Sequence, residues 1–120
     1  MKILLVEDDI FLSDMYVTKF SRLGYDIDAA YNGEEGLRKI KKIRPDIILL
    51  DIKMPIRNGL EVLEEIKKDK KLSDIPVVLL TNLGQKEDIE KGLKLGAVDY
   101  LVKAQFTPQE VVDRVKKIIN

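Results

Sequence analysis

The 120-residue chain contains no cysteine, no histidine and no tryptophan. Without cysteine there is no disulfide frame, no thiol nucleophile and no zinc finger. Without histidine there is no Ser–His or Cys–His pair and no imidazole metal site. Any chemistry is left to carboxylates, hydroxyls and lysines. An excess of one charge is missing as well, since 21 Lys and Arg face 21 Asp and Glu. Residues 1–60 carry ten of each sign and residues 61–120 carry eleven of each. A chain neutral in both halves has no broad field for nucleic acid or an anionic membrane, so neither is expected as a direct partner. The basic cluster Arg38-Lys39-Ile40-Lys41-Lys42, with Glu34 and Glu35 about a turn away, reads as the wet face of a helix. No apolar run approaches the ~20 residues of a membrane span, and no signal peptide precedes the first apolar run. A soluble, cytoplasmic domain is expected.

What is present is regular. Five short apolar runs recur: Ile3–Val6, Ile27–Ala30, Ile47–Leu50, Val77–Leu80 and Tyr100–Val102. The third and fourth are apolar at every position, the pattern of a strand buried on both faces. Between the runs, apolar residues recur at intervals of three and four. Leu12, Met15, Tyr16, Phe20 and Leu23 predict one helical stripe, ended by Gly24. Leu37 and Ile40 mark a second helix, Leu60, Leu63 and Ile66 a third, and Ile89 and Leu93 a fourth. Val111, Val112, Val115 and Ile118 mark the fifth, opened by Thr107-Pro108-Gln109-Glu110. Strict alternation of strand and helix predicts an α/β fold, a doubly wound, five-stranded parallel sheet flanked by five helices. No linker, repeat or low-complexity stretch interrupts it, so residues 1–120 are expected to form one domain without an output domain.

Such sheets bind ligands beyond the carboxyl ends of their strands. There the sequence places Glu7-Asp8-Asp9, Asp51, Thr81 and Lys103, each after an apolar run. Asp9 is read as the cap of the first helix. Carboxylates gathered in one cleft repel one another unless a cation intervenes, and oxygen-only ligands favour a hard divalent ion such as Mg²⁺. A lysine and a hydroxyl opposite them suit an oxyanion. Together they suggest a phosphoryl site.

In order and spacing these residues resemble the receiver domains of two-component response regulators. The resemblance rests on Leu5-Val6-Glu7-Asp8-Asp9, Asp51-Ile52-Lys53-Met54-Pro55 with Asn58-Gly59, Thr81, Gly96-Ala97-Val98-Asp99-Tyr100 and Lys103. It implies strand order 2-1-3-4-5 and phosphorelay signalling. By the same resemblance, Asp51 is the phosphoacceptor, taking a phosphoryl group from a phosphohistidine on a sensor histidine kinase or phosphotransfer protein. Asp8, Asp51 and the backbone carbonyl of Lys53 are expected to hold Mg²⁺, with Glu7 reaching it through water. Lys103, Thr81 and Asn82 are the expected phosphoryl-binding residues. Thr81 and Tyr100 are the expected switch, altering the face of the fourth helix, fifth strand and fifth helix for a downstream protein target. Leu12, Met15 and Phe106 are expected to help dock the histidine-bearing partner. The chain is expected to be a monomer or a phosphorylation-dependent dimer, and a signalling domain that acts only on its own phosphorylation state.

Two positions depart from the family pattern. Proline usually follows the lysine in a cis peptide, but here the pair is Lys103-Ala104, so the bond is strained or trans. Asn82 stands where a small residue is usual. A haloacid-dehalogenase-like phosphatase would carry a second Asp two residues after the nucleophile, where this chain has Lys53. A pure binding module would show gaps among the acid pair, Asp, Thr and Lys, and there are none. No glycine-rich nucleotide-binding loop is present.

Overall fold

The fully apolar runs form the buried centre of a parallel sheet. In a computed structural model, which describes residues 1–119, the strands are β1 (Lys2–Val6), β2 (Asp26–Ala30), β3 (Ile47–Asp51), β4 (Val77–Thr81) and β5 (Asp99–Val102). They are parallel and ordered β2-β1-β3-β4-β5, the arrangement expected. β3 and β4 each run one residue beyond their apolar stretches. Asp51 and Thr81 are therefore the last residues of strands, held by ladder hydrogen bonds and not on free loops.

Alternate side chains of a strand point to opposite faces, and the core divides accordingly. Leu4, Val6, Ile48, Leu50 and Leu79 face one side, where α2 (Gly33–Ile43) and α3 (Gly59–Lys68) pack through Leu37, Ile40, Val62, Leu63 and Ile66. Ile3, Leu5, Ile47, Leu49, Val78 and Leu80 face the other. There α1 (Ile10–Arg22) and α5 (Pro108–Ile119) contribute Tyr16, Phe20, Val111, Val112 and Val115. α4 (Lys86–Lys94) lies beside α3 and buries only Gly92, whose missing side chain leaves room for Leu79.

Two helical stripes are narrower than the sequence pattern suggests. On α1, Met15 and the following Leu23 are exposed, whereas Ser13 is fully buried. On α4, Leu93 is exposed and Ile89 only half-buried. A helix that packs over one side of a sheet needs an apolar arc of about 100°, so residues at its margins stay wet. The caps follow expectation. Asp9 Oδ1 accepts from the Leu12 N–H at the start of α1, and Gly24, at φ 89°, turns the chain after its end. Thr107 and Glu110 form a reciprocal capping box on α5.

Candidate functional site

β1 and β3 are neighbours, so Glu7, directly after β1, and Asp51, the last residue of β3, emerge side by side at the carboxyl edge of the sheet. Both are almost wholly removed from solvent, at 0% and 1% exposure. Two buried carboxylates are tolerable only with a counter-charge. Lys103, just after β5, supplies it: its Nζ lies 2.6 Å from Glu7 Oε1 and 2.8 Å from Asp51 Oδ2. The ammonium thus bridges the two carboxylates. Glu7 Oε2 accepts from the Asp9 N–H, which ties the acidic turn to the start of α1.

Asp8 is exposed beside this pair, and one carboxylate oxygen from each of Glu7, Asp8 and Asp51 lies within 4.8 Å of the others. Asp51 Oδ1 is buried with no hydrogen-bond partner. Three carboxylates against one ammonium leave net negative charge around an unpaired oxygen. An all-oxygen donor set of this kind fits a hard divalent cation such as Mg²⁺. In the metal-free chain, burial pushes the Asp51 carboxyl up to about 8, with the adjacent Glu7 adding to the effect and Lys103 opposing it. For Lys103, burial favours loss of the proton. Its contacts with Asp51 and Glu7 outweigh that and hold its pKa above the usual value. Burial, and then the nearby Glu7 charge, raise the Tyr16 hydroxyl.

The loop after β3 is folded tightly onto the site. A Cβ at Gly59 would stand 2.2 Å from the Asp51 carbonyl oxygen, so only glycine fits where the start of α3 crosses the strand end. The Gly59 N–H donates to the Ile52 carbonyl at 2.7 Å, and Asn58 Oδ1 caps α3 through the Glu61 N–H. Ile56 holds φ 71°, a left-handed conformation rare for a β-branched residue, with its side chain 78% exposed.

One cleft is lined by Glu7, Asp8, Asp9, Leu12, Asp51, Lys53, Asn82, Lys103 and Ala104. It unites all but one of the expected reacting residues. The exception is Thr81, which is fully buried and does not line the cleft; its hydroxyl donates to Gln85 Oε1 at 2.5 Å. Tyr100 points outward, 40% exposed. Every described peptide bond is trans, including Lys103-Ala104. A short 3₁₀ turn, Lys103–Gln105, carries the chain onward, and the lysine still reaches both carboxylates.

Of the three residues expected to dock a partner, Leu12 and Phe106 pack against the same core cluster on the α1–α5 side of the sheet. Leu12 lines the acidic cleft, and Met15 lines a groove with Phe11, Lys19, Arg22 and Pro108. Phe106 packs under the Arg114 guanidinium, 5.3 Å from its ring centre. Sequence reasoning missed Phe11, 89% exposed, whose signal was an apolar residue out of phase with the α1 stripe. It also missed Gln85, which no motif marks.

The comparisons agree with this geometry. The model of the response regulator receiver domain family matches residues 3–116. A protein-glutamate methylesterase/protein-glutamine glutaminase of Bacillus licheniformis is 48% identical over 61 residues, covering 48% of this chain and 17% of that protein. The chemotaxis protein CheY of Thermotoga maritima is 37% identical over 59 residues, covering 48% of this chain and 49% of that protein. The matches thus span half or less of these curated relatives. The receiver domain of the Francisella response regulator 1452 superposes with a TM-score of 0.87 at 33% identity, covering 98% of this chain and 95% of that one. With the expected strand order and a family match over nearly its whole length, the chain belongs to the response regulator receiver domain family of two-component systems.

Proposed function

We propose that Asp51 accepts a phosphoryl group from a phosphohistidine on a sensor kinase or phosphotransfer protein. The observation that carries this reading is the buried Asp51 carboxylate, with one oxygen ion-paired to Lys103 and the other unpaired at the cleft. A carboxylate oxygen of Asp51 forms the new P–O bond as the P–N bond to the donor imidazole breaks. The chain contains no histidine, so the donor is another molecule or domain. Lys103 moves its ion pair from the carboxylate to a phosphoryl oxygen, keeping its charge beside the negative charge that develops there. Asn82, at the cleft wall, is placed to offer an amide to the same group.

Asp8, Asp51 and the Lys53 carbonyl would hold Mg²⁺, with Glu7 reaching it through water. A bound divalent ion there supplies charge neutralisation for the phosphoryl oxygens. Thr81 and Tyr100 report the event: Thr81 turns its hydroxyl to the phosphoryl group and Tyr100 moves inward, changing the α4–β5–α5 face for a downstream protein. This is a two-state equilibrium biased by the added charge. Balanced charge and the absence, among the described residues, of any helix able to span a membrane fit a protein partner and a cytoplasmic setting.

Intact mass after incubation with acetyl phosphate tests the reading, with and without Mg²⁺, on the wild type and Asp51→Asn. One Mg²⁺-dependent phosphoryl adduct, absent from Asp51→Asn, is expected. No adduct, together with no binding of beryllofluoride, would leave the domain an interaction module without a phosphoryl switch. Turnover of a phosphate monoester would instead favour a phosphatase.

A further inference from the structure

The Thr81 hydroxyl is already engaged. Gln85 Oε1 accepts from it at 2.5 Å and from the Asn82 backbone N–H at 2.9 Å. The polarity of this pair of bonds is fixed. A backbone N–H can only donate, so the Gln85 atom facing it is the amide oxygen, and that oxygen can only accept. Thr81 must therefore give Gln85 its single hydroxyl proton. The Asn82 carbonyl, 3.1 Å from the same hydroxyl, is a second and longer acceptor. A phosphoryl oxygen is also an acceptor only. The proton Thr81 would offer it is the one now held by Gln85.

The surrounding chain supports this arrangement. Gly84, at φ 84°, turns the β4–α4 loop so that Gln85 returns over the strand end. Gln85 stands at the N-cap of α4 but makes no side-chain cap to its own helix, because its amide is turned back to Thr81 and Asn82. Both neighbours of the expected phosphoryl pocket, Asn82 and Lys103, line the cleft, whereas Thr81 does not.

We propose that Gln85 is a positioning residue that latches Thr81 in the unphosphorylated state by competing with the phosphoryl group for the Thr81 hydroxyl proton. The proposal rests on Asp51 phosphorylation and adds a determinant of how readily the switch is thrown. Removing the acceptor leaves Thr81 free to turn toward the site, which favours the phosphorylated conformation. By reciprocity, a partner that draws Gln85 away stabilises the phosphorylated form.

The test uses Gln85→Met, which keeps length without an acceptor, Gln85→Glu, which keeps an acceptor, and Thr81→Val, which removes the proton. The first readout is amide hydrogen exchange of Asn82 in the metal-free chain. Exchange is expected to accelerate in Gln85→Met and not in Gln85→Glu. The second is the half-saturating beryllofluoride concentration at fixed Mg²⁺, followed by amide chemical shifts. Gln85→Met is expected to lower it by roughly two- to tenfold, the worth of one net hydrogen bond, and Gln85→Glu to raise it.

On a Thr81→Val background Gln85→Met should leave the half-saturating beryllofluoride concentration unchanged, although Asn82 still loses its acceptor. Any remaining effect of Gln85→Glu there measures its charge alone. A Gln85→Met effect that persists without the Thr81 hydroxyl overturns the latch, as does an unchanged half-saturation in Gln85→Met. If the wild type binds no beryllofluoride, phosphorylation at Asp51 fails first and the latch falls with it. Failure of the latch alone is seen against normal wild-type binding.

Discussion

α3 and α4 both follow a strand that ends in a candidate site residue, Asp51 before one and Thr81 before the other, yet they are held very differently. α3 is capped by Asn58 on its own first turn, crosses the strand end through Gly59 and buries Val62, Leu63 and Ile66. α4 buries only Gly92, and the side chain at its N-cap is spent on the strand before it. Leu83, Leu93, Val98 and Tyr100 remain exposed around it. The Asp51 carboxylate thus sits on a fixed platform, and Thr81, proposed to sense its phosphorylation, sits beside a loosely seated helix. Local stability is expected to be uneven in the same sense, since segments with few buried contacts open most easily.

The largest effect separates the helices directly. Leu63→Ala in α3 should cost about 2–5 kcal/mol, because it empties a fully buried position that rigid neighbours cannot close. Leu93→Ala in α4 should stay within about 0.5 kcal/mol, as surface substitutions do. Urea denaturation of both variants checks the contrast. Equal losses would mean that α4 is packed as firmly as α3.

The platform carries an electrostatic cost of its own. Without metal, the Asp51 carboxyl is raised from 3.8 to about 8, so the native state keeps a proton that the unfolded chain has already released. The contribution of this group to stability is fully present below the ordinary carboxyl value and is lost as pH rises through about 8, because between the two values the native state binds more protons than the unfolded one. Asp51→Asn removes this slope. Thermal melts in chelator-treated buffer should show the variant gaining on the wild type as pH increases toward and through about 8. Parallel pH profiles would show that Asp51 does not set the slope.

Much of this platform was legible in the chain. Unbroken aliphatic runs identify β3 and β4, and polar residues directly after them identify the edge where ligands bind. The acid cluster and Lys103 follow from that topology. Side-chain direction was not legible. Met15 and Leu93 fit a period of three to four, but lie at the margins of their helices, where only the tilt against the sheet decides exposure. Nor did sequence reveal that Glu7 pairs directly with Lys103, because 95 intervening residues must fold before the two meet at 2.6 Å. Gln85 was invisible for a related reason. Its amide meets Thr81 and Asn82 only because the chain turns through a left-handed conformation at Gly84.

Capping gives a smaller and more local distinction. Asn58→Ala should cost about 1 kcal/mol and speed amide exchange at Glu61, the group that Asn58 Oδ1 holds. Gln85→Ala should leave exchange at Glu87 and Asp88 unchanged, since Gln85 makes no side-chain cap to α4. Faster exchange at those amides would show that α4 is capped as α3 is, and would remove the difference between the two helix starts.

The smallest effect has the opposite sign and lies within the platform itself. Ile56 occupies a left-handed conformation that costs an L-residue about 1–2 kcal/mol, and most of its side chain is exposed, so little burial offsets the strain. Asparagine visits this region more readily, because its short amide bonds locally. It also avoids the extra unfolded-state entropy that glycine brings. Ile56→Asn should therefore stabilise the domain by up to about 1 kcal/mol, visible as a higher urea midpoint with an unchanged slope. Asp51 should stay in place, since Gly59 and its bond to Ile52 anchor the loop independently. A loss of stability would mean that the Ile56 side chain has packing partners that outweigh its backbone strain, and that even the rim of the platform is held by burial.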